Sequence, residues 1–176
     1  VGVALFEGAV VVVALGAEML LIGKLAAEPT TARARIEAAI ASGAAAERFA
    51  RMATALGGPA DLIERPEKYL AAAPLVAPVF PAQAGHVRGV DAHALGLAVV
   101  ALGGGRTRAY QTIDPAVGLS QMAGIGAHVG PDRPLALIHA RDETGLEAAR
   151  ARILAAYRLS EEPVSTPPVV LERSPA

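Results

Sequence analysis

Two runs inside residues 79–140 decide the fold: VFPAQAGHVRGVDAHALGLAVVALGGGR (79–106) and IDPAVGLSQMAGIGAHVGPDRPLALIHA (113–140). Short β-type runs at 86–90, 97–102 and 135–139 are set apart by Gly, Pro and Asp at close intervals. That punctuation suits a compact all-β unit with tight turns, because Gly reaches positive φ, Pro fixes its own φ, and Asp bonds nearby backbone. The flanking sequence reads as helix on both sides. The contrast puts an internal boundary near residues 74–81.

Upstream, residues 10–25 run without Pro and carry Leu15, Glu18, Met19, Ile22 and Leu25. Apolar residues then cover most of the circumference, which predicts a helix buried on more than one side. Its lone Glu18 is read as exposed or locally paired, since an isolated buried carboxylate is costly. Glu28-Pro29-Thr30-Thr31 is a stop followed by a start, with Thr30 or Thr31 as the next cap. Ile36, Ala39 and Ile40 share one face, Ser42-Gly43 weakens the helix, and Phe49, Met52 and Leu56 resume a stripe that Gly57-Gly58-Pro59 ends. A short helix is expected over 61–70 behind a capping Asp61. Downstream, Thr144 and Glu147 have capping-box spacing, which predicts a helix over 145–159 with Leu146, Ala149, Ile153, Leu154 and Tyr157 as its stripe. Residues 161–176, rich in Pro and Ser, read as a surface tail.

The totals narrow the function. At 176 residues with 53% hydrophobic content the chain can bury a core, but aromatics are 3% and Trp is absent, so the core is built from Ala, Leu, Val and Ile. Lys plus Arg is 16 against 17 for Asp plus Glu, so no global field favours nucleic acid or an anionic membrane. Cysteine is absent, which removes disulfides, thiol nucleophiles and thiolate metal sites. The apolar run 9–15 is far short of the roughly 20 residues a membrane helix needs. The chain opens on Val1-Gly2-Val3 with no Met and no signal-peptide pattern, and reads as beginning inside a longer polypeptide.

Few residues suggest chemistry. Gly103-Gly104-Gly105-Arg106 could expose backbone N–H groups to an anion, with Arg106 and Arg108 as its cationic hands. No GxxxxGK[ST] or GxGxxG frames it, so a turn needing positive φ is the plainer reading. His86, His93, His128 and His139 are scattered through the β-rich part at no recognised ligand spacing, and read as surface or turn residues. Asp91, Asp114, Asp132 and Asp142 each adjoin turn formers and read as structural. The run 125–135, of the form G-x-x-V-x-x-x-x-x-L, resembles the barrel-sandwich hybrid of biotinyl and lipoyl carriers. Such carriers need a hairpin lysine, and the chain has only Lys24 and Lys68, so a swinging-arm carrier is rejected while the topology survives.

A wider resemblance then emerges. Val1-Gly2 with Ala4-Leu5, Glu18-Met19-Leu20 with Gly23-Lys24, Gly43-Ala44-Ala45 with Phe49, and Gly57-Gly58-Pro59 are followed by Ala94-Leu95-Gly96, Ala98-Val99-Val100, Leu102 to Arg106, Ile113-Asp114, Val117-Gly118-Leu119 and Pro134 to Ala140. In that order they resemble the C-terminal half of the thymidine phosphorylases, in the pyrimidine nucleoside phosphorylase family. Ser165-Thr166-Pro167 resembles the tail of the bacterial branch.

The resemblance implies an α/β (α+β) protein. Residues 1–73 would be a helical segment of a large α/β domain, 74–160 a C-terminal β-rich subdomain of barrel-sandwich-hybrid (α/β hammerhead) type with a closing helix, and 161–176 the tail. It also implies a homodimeric, cytoplasmic pentosyltransferase of nucleoside salvage. Such an enzyme converts thymidine or a related pyrimidine nucleoside, with inorganic phosphate as co-substrate and no cofactor, to the base and 2-deoxyribose 1-phosphate. In that family the phosphate loop and the residues gripping the base lie upstream of the matched region. No catalytic, cofactor-binding or metal residue is therefore assigned here, and these 176 residues alone are expected to be inactive.

Two further expectations follow from the same resemblance. Val3 stands where the family has Asn, and Phe6-Glu7-Gly8 leads early into the apolar run, as if a loop were skipped; Glu7 is the one candidate for a family cation position, and the altered register gives it no role. Residues 103–108 are expected to form a loop that closes on substrate, since glycines beside arginines combine mobility with anion attraction. The competing reading is a non-catalytic barrel-sandwich-hybrid scaffold or interaction module.

Overall fold

The computed structural model describes the backbone of residues 4–166 and 168 and the side chains from Val10 on, so the Glu7 side chain and the start and end of the chain lie outside what is described. The chain divides after Tyr69 into two units.

The first unit is helical. α1 (Ala4–Ile22) ends where Lys24 turns left-handed (φ 56) and the Leu25 N–H donates back to the Leu20 carbonyl at 2.8 Å. Glu18 on this helix is half-buried. α2 (Pro29–Ala41) begins on an extended Glu28 with Pro29 in the first helical position, where a missing N–H costs nothing. Thr30 and Thr31, expected as caps, are therefore already inside the helix. Gly43 (φ 80) separates α2 from α3 (Ala44–Ala55). The helix expected over 61–70 contracts to the single turn α4 (Pro66–Tyr69), while the Asp61 carboxylate accepts the Tyr69 hydroxyl and lies 3.7 Å from Lys68 Nζ.

The second unit mixes helices with two small antiparallel sheets, an α+β arrangement. Its strands are β1 (Leu75–Val79), β2 (Gly85–Val90), β3 (Gly118–Ser120), β4 (His128–Val129), β5 (Ala136–Ala140) and β6 (Tyr157–Ser160); its helices are α5 (Ala92–Val99) and α6 (Glu143–Ala156). One sheet runs β1-β5-β3 and the other β4-β2-β6. In β5 Ala136, Ile138 and Ala140 are buried while Leu137 and His139 face outward, the period-two pattern of a half-buried strand. The core gathers Val79, Val87, Val129, Leu135, Ile138, Leu146, Ile153 and Tyr157 from both sheets and α6.

Three expectations for this unit need correction. The run 97–102 is not a strand. Asp91 caps α5 by accepting the Ala94 N–H at 2.9 Å, and Leu95 and Ala98 bury one helical face with Leu102 packed beside them. That spacing of three and four outweighs the β-branched pair Val99-Val100 that suggested a strand. The final helix stops at Ala156, three residues before its expected end, because Tyr157 and Leu159 pair with Val90 and Val87 as β6. Its cap is Asp142, accepting the Gly145 N–H at 2.7 Å, and not Thr144. β1 adds a strand, pairing Leu75 to Val79 with Ala140 to Ala136, in a place where the sequence suggested only a boundary.

Candidate functional site

The glycine run does not follow a strand. It closes α5 in a wide π-type turn, Val100–Gly104, in which Gly103 takes φ 98. A side chain there would be strained, and a Cβ on Gly104 would meet Val99 Cγ1 at 2.8 Å and the Val117 carbonyl at 3.2 Å. Backbone conformation and close packing thus require these glycines without any anion, as the plainer sequence reading held.

Beyond them the chain makes an exposed loop whose two ends are tied together by the Asp114 N–H donating to the Gly103 carbonyl at 2.9 Å. Asp114 anchors that base. Its carboxylate takes Arg141 in a two-point contact, Nε to Oδ2 at 2.5 Å and Nη2 to Oδ1 at 2.9 Å, and also accepts the Ala116 N–H at 3.0 Å. The guanidinium first, then that backbone N–H, lower the Asp114 pKa to about 2. Arg141 follows β5 directly, so the loop base is fixed to the sheet. At the tip the Thr107 N–H and hydroxyl donate to Gln111 Oε1 at 3.0 and 2.8 Å, and Thr107, Arg108, Tyr110 and Gln111 line a shallow open hollow. Arg106, Arg108 and Tyr110 are exposed. The loop can therefore offer cationic side chains and a hydroxyl to an anion while its base stays fixed.

The histidines separate into three situations. His93 is exposed on α5. His139, half-buried on β5, has Nε2 2.7 Å from Ser120 Oγ on β3. His86 and His128, which sequence spacing left apart, are brought opposite one another across β2 and β4, with their rings edge-on. Half-buried positions in strands thus replace the surface or turn setting expected for His86 and His139. Of the four aspartates read as structural, Asp91 and Asp142 cap helices and Asp114 anchors the loop. Arg141 and Ser120 were missed: Ser120 meets His139 between β3 and β5, and Arg141 meets Asp114 from 27 residues away, which neighbouring residues in sequence do not signal. Among the described residues no group of three or more His, Asp or Glu is placed to hold a metal ion.

Two small antiparallel sheets packed with helices, together with an arginine-bearing glycine loop, define an α+β unit. Residues 86–160 match the pyrimidine nucleoside phosphorylase C-terminal domain. Thymidine phosphorylase of Burkholderia lata is 52% identical over 163 residues, 93% of this chain and 37% of that protein. Thymidine phosphorylase of Burkholderia cenocepacia strain HI2424 is 50% identical over the same shares of both chains. Over that share the chain is similar to these enzymes, and it spans little more than a third of the length of the curated relatives it matches.

Proposed function

We propose that this chain is the C-terminal portion of a thymidine phosphorylase, a pentosyltransferase that cleaves thymidine with inorganic phosphate to thymine and 2-deoxyribose 1-phosphate. The observation that carries the proposal is the 52% identity over 93% of the chain, centred on the matched domain at 86–160. Phosphorolysis needs a phosphate dianion held by cations and backbone donors beside a sugar carbon gaining positive charge, with polar groups stabilising the departing base. Those groups belong to the part of the polypeptide preceding these residues, and no cofactor takes part.

Residues 1–73 supply helices to the large α/β domain, 74–160 form the barrel-sandwich-hybrid subdomain bracing the cleft, and 161–176 are the tail. The exposed apolar side chains of α1, Met19 and Ile22 among them, fit helices completed by the rest of such a domain. The full enzyme is a cytoplasmic homodimer in this proposal; among the described residues no helix is long and apolar enough to cross a membrane. The loop 103–108 closes on the substrate anion, its exposed tip moving over the Gly103–Asp114 base and its arginines giving charge.

Thymine release, followed by ultraviolet absorbance with thymidine and phosphate present, tests this. The full-length polypeptide should release thymine and the 176-residue chain should not. A full-length protein inert toward pyrimidine nucleosides, or an active fragment, would overturn it. Deleting two of Gly103 to Gly105 in the full-length enzyme should reduce turnover, and an unchanged rate would remove the closing role.

A further inference from the structure

One pair of side chains has no part in that proposal. His86 on β2 and His128 on β4 are direct partners across the antiparallel ladder, their ring centroids 4.9 Å apart and their planes inclined at 68°. We propose that His86 and His128 form a two-imidazole chelate for a borderline divalent cation of the Zn2+, Ni2+ or Cu2+ type, with water completing its coordination.

The spacing is the first support. Two imidazole nitrogens each about 2.0–2.1 Å from a tetrahedral cation place their ring centroids about 5 Å apart. The observed separation needs little adjustment to meet that. Rigidity is the second. The Val87 N–H donates to the Ala127 carbonyl at 2.9 Å and the Gly126 N–H donates to the Val87 carbonyl at 2.8 Å, so the backbone preceding His128 is held against β2. The entropy of bringing the rings together has thus already been lost on folding.

Orientation is the third. His86 Nδ1 faces the Gly126 carbonyl at 3.4 Å. A proton on Nδ1 directed at that acceptor leaves the lone pair on Nε2, the arrangement by which ligating histidines are usually oriented. His128 is exposed, so solvent cations reach the pair.

The donor set selects the cation. Imidazole suits Zn2+, Ni2+ and Cu2+, whereas Mg2+ and Ca2+ prefer carboxylate and carbonyl oxygen. On the other side of His86 in the sheet lies Ser160, whose Oγ already accepts the Glu162 N–H at 3.2 Å. With no third acidic or histidine ligand grouped among the described residues, the chelate is exchangeable and not a closed structural centre. Its effect would be mechanical: β4 is two residues long, and a bridging cation staples it to β2.

Calorimetric titration of the full-length protein with Zn2+ alone, in a non-chelating buffer, tests the chelate independently of any phosphorylase activity. The wild type should show a saturable one-to-one event, absent with Mg2+. His86→Gln and His128→Gln should each weaken it at least about 10-fold, the lower end of what losing even an outer-shell partner costs a metal site. The double variant should abolish it, and Zn2+ should raise the thermal midpoint of the wild type but not of His128→Gln. No Zn2+ event in the wild type, or one unchanged by His128→Gln, would overturn the proposal. Because His128 is exposed, that variant decides the matter even if His86→Gln unfolds.

Discussion

The two units use the same residue types to different ends. Residues 70–166 sink Val79, Val87, Val129, Leu135, Ile138 and Ile153 almost wholly out of solvent, whereas in residues 10–69 only Val13, Ala17 and Ala32 are buried among the described side chains. Met19 is 72% exposed and Ile22 81%, although α1 is as apolar as any segment of the chain. Sheets explain the contrast. A three-stranded sheet with one apolar face closes against a single helix such as α6, while α1, apolar around most of its circumference, needs more partners than the described residues provide.

Truncating the core of the β-rich unit should have the largest effect. Ile138→Ala removes a side chain that is 0% exposed and should cost about 2–5 kcal/mol in urea unfolding; a loss under 1 kcal/mol would mean that this core is looser than its burial implies.

Alkaline pH should strain the same unit next. Burial pushes the Tyr157 phenol up to about 12, and its hydroxyl donates to the Ala123 carbonyl at 3.1 Å, a bond that only the neutral form makes. A raised folded-state value means that the contribution is complete below the ordinary tyrosine pKa of about 10 and disappears as pH rises toward about 12. Between those limits stability should fall by up to about 2–3 kcal/mol, and Tyr157→Phe should flatten the profile. A profile for the phenylalanine variant as steep as that of the wild type would assign the loss elsewhere.

A smaller loss, about 1 kcal/mol, is expected for Asp142→Ala, which leaves the Gly145 N–H at the start of α6 without its acceptor. Thr144→Ala should cost less, and the reverse order would restore the capping box. The smallest effect should come from the helical unit. Ile22→Ala in the 176-residue chain should change stability by no more than about 0.5 kcal/mol, as for other exposed sites. The same substitution in the full-length protein should cost more if the large domain covers α1; equal small effects in both would sharpen the contrast into an intrinsic property of the helices.

How legible this was depended on the range of the interactions. The strands at 86–90 and 135–139 were read correctly because each carries its own alternation and its own turn residues. The run 97–102 misled, because a short apolar stretch fits either period and the deciding cap, Asp91, lies several residues earlier. β6 was hidden inside a helical stripe: Tyr157 and Leu159 become strand only because β2 offers an edge. In the loop, Gly103 and Arg106 were visible as a pattern, while the Asp114–Arg141 anchor joins residues on different elements. The family resemblance rests on motifs in order along the chain, which needs no contact information.

By itself the sequence determined the helical and β-rich halves, the balanced charge, the lack of thiol chemistry and the family resemblance, because composition, turn residues and motif order are all local. Only the tertiary structure decided that 97–102 turns as a helix, that Asp142 caps α6, that Asp114 grips Arg141 and that His86 meets His128. Each of these depends on a hydrogen bond or a strand register whose partner is chosen by folding, and free energy from distant contacts outweighs the small preferences of a short segment.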